Sequence, residues 1–297
     1  MNDSSHDRPL IQIPQDGTAT VITMDYRGGY GAPRVDNRPL LTVFADGTIR
    51  VIDHSRTKIS AKELRDLLRV IEDSGIKFSA EERQNFLRVD IDEHSDVGPE
   101  IEAKISAEEL QDLLRFVIDE QHFFEFDSDT ALRELDEEQR KMGLSWGVFD
   151  GLTTVIRIRT AERDHTGKFY ALDDYVTIFP ALKPLANFSA VEKRLSRLAW
   201  EIRAGGKENI AAALKLANEH LRKTYPNVPA LLFEDFLYID NTPDARTMHF
   251  VRTLAERQPR DVKEGLRKVF FGGPEFSVGV AYLRDGTLNI TVHNPPQ

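Results

Sequence analysis

Four side chains that could bind a metal ion stand at alternate positions in the segment DIDEHSD: Asp90, Asp92, His94 and Asp96. Clustered carboxylates bind hard cations such as calcium, and a loop can bring alternate residues to one ion. The calcium-loop pattern fails, however, because Ser95 stands where glycine is needed and Ile101 stands where glutamate is needed. In a strand, the same residues would share one face. We therefore expect a solvated acidic strand edge, with calcium binding as the alternative.

Acid–histidine pairs occur twice, as Asp53-His54 and as Asp92 with His94. An aspartate beside a histidine can orient the imidazole for general-base catalysis, but such a site also needs a nucleophile and an oxyanion hole. No sequence motif supplies either of them. We interpret both pairs as turn residues and predict no catalytic residues.

A glycine-rich segment, YRGGYGAP, begins at Tyr26. Its glycines could surround a phosphate, but the Lys-Ser/Thr of a P-loop is missing and no helical pattern follows. A sharp bulged turn is the better interpretation. Because loop aromatics and arginines often anchor interfaces, Arg27 and Tyr30 are candidate contacts for a ligand or partner.

The composition excludes several classes of protein. The 297 residues include no cysteine, which rules out disulfides, thiolate metal sites and cysteine nucleophiles. The net charge of −10 argues against a nucleic-acid binder, which needs a cationic surface. Most of the excess negative charge lies in residues 1–185, whereas residues 186–297 are slightly basic. Another protein is the partner that we expect.

No stretch of the sequence approaches the length and apolarity of a membrane span, and the first residues have neither a basic start nor an apolar signal core. The sequence as given therefore predicts a soluble, cytoplasmic protein without an integral membrane segment. If a leader was removed, an extracytoplasmic location fits equally well.

A helical segment recurs in the first half of the chain. KISAKELRDLLR from Lys58 returns as KISAEELQDLLR from Lys104, and each copy has a serine and a glutamate spaced as a capping box before leucines at helical spacing. Similar strand and Asp/His/Ser segments precede both copies. We predict an internal duplication of a β-loop-α unit, at about 50–78 and 88–126.

Two Asp-Gly pairs between alternating apolar runs predict antiparallel hairpins, at Asp46-Gly47 and Asp285-Gly286. A third hairpin is expected to span TTVIRIRTAERDHTGKFYALDDYVTIF, with its turn near His165-Thr166-Gly167. TATVITMDYR and HFFEFD are predicted to be strands, the latter buried, and TALRELDEEQRKM is predicted to be a solvated helix.

Helix signals organise the remainder of the chain. Ser189 and Glu192 predict a capped start for the helix FSAVEKRLSRLAWEIRAGG, and Gly205-Gly206 predicts its end. A second helix, KENIAAALKLANEHLRKTY, precedes segments typical of strands. The predicted fold class is α+β, with two domains, 1–204 and 207–297, that each consist of an antiparallel sheet with packed helices.

The segments MDYRGGYG, LTVFADGTIRV, ISAKELRDLL and TTVIRIRT together resemble bacterial domains of unknown function found in exported or lipid-anchored proteins. The layout of the second half is similar to the one-helix-plus-sheet modules of periplasmic inhibitor and PepSY-type proteins. These resemblances imply an extracytoplasmic setting and no catalytic residues. Together with the missing catalytic motifs, they favour a non-catalytic binding or protein-interaction module without a cofactor. The alternative is a metal-dependent hydrolase or calcium-binding protein that uses the segment from Asp90 to Asp96.

Overall fold

The computed structural model describes residues 9–28, 38–52, 100–143, 147–148, 151–241, 245–253, 275–283 and 285–294. The first sheet contains β1 (Thr20–Arg27), β2 (Leu41–Phe44), β3 (Thr48–Ile52), β4 (Glu100–Lys104), β5 (Thr153–Arg159) and β6 (Asp164–Tyr170). The second sheet contains β7 (Phe236–Asn241), β8 (Ala245–Thr253), β9 (Glu275–Leu283) and β10 (Leu288–His293). The helices are α1 (Ala107–Arg115), α2 (Ser128–Lys141), α3 (Leu172–Ile178), α4 (Lys183–Arg203) and α5 (Lys207–Thr224).

Both sheets are antiparallel, and helices pack against them, which confirms the α+β class. The strand order is β4-β3-β2-β1-β5-β6 in the first sheet and β10-β9-β8-β7 in the second. Within the described residues, no helix is long and apolar enough to cross a membrane.

The two Asp-Gly hairpins are confirmed as β2–β3 and β9–β10. Gly47 and Gly286 both have a φ of 83°, in the left-handed region that favours glycine. In each turn the aspartate side chain accepts a hydrogen bond from the backbone N–H two residues later, at 2.9 Å for Asp46 and 2.8 Å for Asp285. The same dipeptide therefore builds the same turn in both sheets.

The predicted capping box begins α1. The backbone N–H of Glu109 donates to the Ser106 hydroxyl at 3.1 Å, and the backbone N–H of Ser106 donates to the Glu109 carboxylate at 2.9 Å. The predicted core positions of this helical segment are all buried: Leu110, Leu113, Leu114 and Val117. The other copy of the repeat, with Ser60 and Glu63, lies outside the described residues, so the duplication stays a prediction.

The predicted strand HFFEFD is wrong, because Phe123–Glu125 forms a 3₁₀ turn. His122 precedes it with a φ of 52°, which ends the helical segment. A strand would bury alternate residues, whereas here Phe123 and Phe126, three residues apart, are both buried. Their rings both stack on Phe188 of α4. Packing on one aromatic side chain therefore accounts for the tight turn.

The third hairpin exists as β5–β6, but its predicted turn was wrong. The chain turns at residues 160–163, where the Thr160 N–H donates to the Arg163 carbonyl at 2.8 Å. Gly167 lies within β6, and a Cβ there would come within 2.7 Å of Phe188 and 2.9 Å of Phe126. This glycine therefore permits close packing of the aromatic side chains, and Leu172–Ile178 forms α3 instead of extending the strand.

The predicted start of α4 at Ser189 was also wrong. The helix begins at Lys183, with proline in its first turn, and Ser189 and Glu192 lie in its interior, where both are buried. A spacing of three residues is typical of a capping box, but it also places two side chains on one helix face. Glu192 uses that position to contact β1, as described below.

The two glycines after α4 end the helix as predicted. Gly205 and Gly206 have φ values of 80° and 100° and separate α4 from α5. The hydrophobic core under the first sheet extends along α4 to Ala199, and the core of the second sheet begins at Ala204 and includes α5, which packs on β8 and β9. One helix thus contributes to both cores, and the division into two domains stays a prediction.

Candidate functional site

An open cleft of about 840 Å³ lies between α1, the β2–β3 turn and the segment that precedes β1. We call it the N-terminal cleft. Its lining residues are Leu10, Ile13, Ala45, Asp46, Gly47, Ala107, Glu108, Leu110, Gln111, Asp112 and Arg115. Its volume lies within the range of known ligand sites.

The wall formed by the N-terminal segment is held by specific hydrogen bonds. The Gln111 side-chain amide accepts from the Ile11 N–H at 2.9 Å and donates to the Ile11 carbonyl at 3.0 Å, as a neighbouring strand would. The Ala161 N–H donates to the Gln12 carbonyl at 2.9 Å. The cleft is therefore bounded by backbone that is fixed on both sides.

The cleft combines an apolar floor with an acidic rim. Leu110 is fully buried at its base, whereas Leu10 is 63% exposed at its mouth. Glu108 and Asp112 are exposed one helical turn apart on α1. Hydrogen bonds from Thr48 hold the pKa of Asp46 below its ordinary value, so this carboxylate is charged at neutral pH. The rim therefore favours a ligand with positive charge and apolar groups.

Arg115 is the one basic residue among those that line the cleft. Its terminal nitrogen donates to the exposed Asp112 carboxylate at 3.3 Å, but its Nε is buried without a hydrogen-bond partner among the described residues. A buried donor without an acceptor is unfavourable.

A second and smaller cavity, of about 190 Å³, lies beside the stacked phenylalanines. It is lined by Gln121, His122, Phe123, Glu125, Phe126, Lys183, Pro184, Asn187 and Phe188. This volume lies below the range of ordinary ligand sites, so the N-terminal cleft is the better candidate.

A buried polar cluster joins β1 to α4, and we call its members, Tyr26, Glu192 and Ser196, the Tyr26 cluster. The Tyr26 hydroxyl donates to the Glu192 carboxylate and lies 2.6 Å from the Ser196 hydroxyl, which in turn donates to Glu192 at 2.7 Å. Glu192 is only 5% exposed. Each polar group of the cluster therefore has a partner inside the protein.

The protonation of this cluster opposes a catalytic role. Burial raises the pKa of Tyr26 well above its ordinary value, and the charge of Glu192 raises it further, so the phenol stays neutral. Burial also raises the pKa of Glu192, with an added effect from Asp173, against the hydrogen bonds from Tyr26 and Ser196. Since Glu192 is enclosed and satisfied, we interpret the cluster as a structural connection between sheet and helix.

Glu192→Gln is expected to change how stability depends on pH. Because burial raises the folded pKa of Glu192 above the ordinary 4.5, the folded protein keeps a proton that the unfolded chain has already lost, and wild type loses stability as pH rises from about 4.5 up to the folded pKa. The variant has no proton to lose, so its free energy of unfolding should increase relative to wild type over that window, by at most about 1.4 kcal/mol per pH unit, and the difference should stay constant at higher pH. Urea denaturation at several pH values measures this difference.

The control for that experiment is Glu137→Gln, which removes an exposed carboxylate of α2. It should leave the pH dependence close to that of wild type. If Glu192→Gln gives the same pH profile as the control, Glu192 does not change its protonation on folding in the way described.

His249 on β8 is the histidine whose pKa differs most clearly from its ordinary value among the described residues. Burial lowers its pKa, Asp240 opposes the change and His293 adds to it. Its ring stacks on Tyr238 with a centroid distance of 4.3 Å. No described side chain stands beside it as an activated nucleophile, so it does not complete a catalytic site.

The residues predicted from the sequence as a metal site, Asp90, Asp92, His94 and Asp96, lie outside the described residues, as does Tyr30. Calcium binding therefore stays a prediction. No group of three or more metal-binding side chains occurs in the part of the chain that the structure describes. Arg27 is exposed at the end of β1, where its Nε donates to Asp25 at 3.2 Å. It lies apart from the residues that line the N-terminal cleft.

The N-terminal cleft was missed from the sequence because its walls come from three distant segments. The alternating IQIP before β1 and the polar Gln111 within an amphipathic helix were the available signals. Neither indicates that the two segments meet.

Comparison with known proteins adds no identification at this point: no family model, curated protein or solved structure matches the chain. The candidate site therefore stands on its own geometry and chemistry.

Proposed function

We propose that this protein is a non-catalytic protein-binding module and that the N-terminal cleft receives a segment of its partner. The observation that supports this most directly is the cleft itself, with a fixed wall, an apolar floor and an acidic rim. Sites of this volume accept a few side chains of a peptide.

The chemistry of the rim indicates what the bound segment carries. Asp46, Glu108 and Asp112 outnumber the single Arg115, although Lys104 lies 3.8 Å from Asp46. A lysine or arginine of the partner would be attracted to this rim, while a leucine- or isoleucine-like side chain would cover the exposed Leu10. The proposed ligand is an extended segment that combines basic and apolar residues.

Arg115 supports a peptide in particular. A peptide backbone offers carbonyl oxygens at regular intervals, and one of them could accept a hydrogen bond from the accessible part of the Arg115 guanidinium, whose side chain is 20% exposed. Such a contact does not depend on the partner's side chains. It would align the segment, while the rim and the floor select its residues.

The binding module would be the first of two domains. Two separate hydrophobic cores, each with its own antiparallel sheet, support the division at Gly205-Gly206 that the sequence predicts. The proposed cleft lies wholly in the first half.

Two pools of fluorescently labelled peptides of equal length test the proposal by fluorescence polarisation. One pool carries lysine and leucine at fixed positions, and the other carries glutamate in place of lysine. We expect the basic pool to bind and the double variant Glu108→Lys/Asp112→Lys to weaken this binding by about tenfold or more, which corresponds to about 1.4 kcal/mol.

The matched control is Asp136→Lys/Glu137→Lys, which makes the same change of charge at exposed positions of α2. It should retain wild-type binding. Equal affinity for both pools, or equal loss of binding in both double variants, would refute the proposed cleft, since binding would then reflect overall charge alone.

A further inference from the structure

Within the part of the chain that the structure describes, the two sheets have four edge strands: β4 and β6 in the first, β7 and β10 in the second. An edge strand presents unpaired backbone N–H and C=O groups that can hydrogen-bond to another chain. Proteins usually protect such edges with charge, irregularity or a covering element. The four edges of this protein differ in that protection.

Three edges are protected. β4 alternates exposed charges at Glu100, Glu102 and Lys104. At β6, the Ser128 hydroxyl at the start of α2 donates to the Lys168 carbonyl at 2.7 Å and accepts from the Lys168 N–H at 3.3 Å. β7 has an irregular register at its start, where Arg197 donates to the Phe236 carbonyl at 3.0 Å.

β10 has none of these features. Its sequence, LNITVH, contains no lysine, acidic residue or proline, and its register with β9 is regular throughout. The N–H of Leu283 donates to the carbonyl of Thr287, so these residues form a hydrogen-bonded pair next to the turn. Because such pairs alternate along an antiparallel ladder, the backbone groups of Leu288, Ile290 and Val292 point away from β9.

No described residue donates a hydrogen bond to these three residues or accepts one from them outside the β9 ladder. The strand is also exposed: Leu288 is 39% exposed, and from Asn289 onward the side chains alternate between exposed and half-buried. A regular, uncharged edge of this kind can accept another strand.

The edge is complementary to a second copy of itself. A two-fold axis at Ile290 would place it opposite Ile290 of the partner subunit, and Leu288 opposite Val292 of the partner subunit. All the residues whose backbone groups point outward would then form hydrogen-bonded pairs, with their apolar side chains in one row on the face toward α5. On the other face, Asn289 would lie opposite the partner's Thr291, so no like charges meet.

We propose that two copies of the chain associate through β10, antiparallel about a two-fold axis at Ile290, so that their second sheets join into one continuous sheet. The interface is isologous, as in most homodimers, because one strand supplies both sides. This association leaves the N-terminal cleft, which lies on the other half of the chain, available to a partner.

Sedimentation velocity of the full chain across a range of concentrations tests the association. Wild type should show a dimer of twice the 33.8 kDa chain mass. Asn289→Lys/Thr291→Lys, at two exposed positions of β10, places like charges opposite each other across the axis and should weaken dimerisation by about tenfold or more. Far-UV circular dichroism confirms that the variant is folded.

The matched control uses the same two positions. Asn289→Glu/Thr291→Lys places a carboxylate opposite the new ammonium of the partner subunit, so this variant should dimerise at least as well as wild type. Wild type that remains a monomer at every concentration overturns the proposal, as does an identical effect of the two double variants. If β10 instead accepts a strand of an unrelated peptide, the purified wild-type chain remains a monomer, and that outcome also overturns the proposal.

Discussion

Replacing Arg197 with alanine is expected to destabilise the protein by about 3 to 4 kcal/mol, the largest effect of a single side chain that we predict. The Arg197 guanidinium donates to the carbonyls of Phe233, Glu234 and Phe236 at 2.7, 3.0 and 3.0 Å. It also forms an ion pair with Glu201 at 3.0 Å. Without Arg197, three carbonyls and a mostly buried carboxylate lose their partner, and such losses are costly.

Urea denaturation of Arg197→Ala and of Arg194→Ala provides the comparison. Arg194 is exposed on the same helix, so its loss should change the free energy of unfolding by less than about 0.5 kcal/mol. Arg197→Lys should recover only part of the loss, because a single ammonium cannot reach every acceptor that the guanidinium reaches. Equal stability of the two alanine variants would show that the contacts between α4 and the start of β7 contribute little.

Gly47→Ala is expected to cost about 3 kcal/mol, whereas Gly286→Ala in the equivalent turn should cost about 1 kcal/mol. Both glycines have a φ of 83°, so the backbone strain of alanine is the same at both positions. At Gly47, however, a Cβ would lie 2.4 Å from the Ile105 carbonyl oxygen, whereas nothing lies within 4 Å of a Cβ at Gly286. The difference between the variants therefore isolates the steric clash.

Thermal or urea denaturation of the two glycine variants measures that difference. The turn at Gly47 can relieve the clash only by moving away from Ile105, whose N–H donates to the Gly47 carbonyl at 3.0 Å. Equal losses of stability would show that the turn moves without cost, and that φ alone explains why glycine is required at both positions.

The features that could be predicted from the sequence are those that depend on neighbouring residues. The Asp-Gly turns and the capping box at Ser106 have local physical causes, and both were predicted correctly. Gly167 and Glu192 were misinterpreted because each serves a contact with a distant element: Gly167 makes room for Phe188, and Glu192 accepts a hydrogen bond from Tyr26. A local pattern does not distinguish a glycine in a turn from one that permits close packing.

The candidate site shows the same limit. Its acidic residues and Arg115 were visible in the sequence, but Asp46 reaches the start of α1 only through the pairing of β3 with β4. The N-terminal segment reaches α1 only through the hydrogen bonds between Gln111 and Ile11. In the sequence, Ile11 and Gln111 are separated by β1, by the β2–β3 hairpin and by the long segment that leads to β4. Edge strands are likewise invisible until the order of strands is known, so the self-complementarity of β10 follows from the topology of the second sheet.

The position of β1 inside the first sheet affects how the chain folds during synthesis. β1 pairs with β2 on one side, but its other neighbour is β5, with Ile22 opposite Ile158. At roughly 5 to 20 residues per second, the ribosome needs roughly 7 to 27 seconds to synthesise the chain from Ile22 to Ile158. The first hairpins therefore emerge with an apolar central strand that is unpaired on one side. We expect this stage of translation to depend most on chaperones, and the sheet to close only once β5 has emerged.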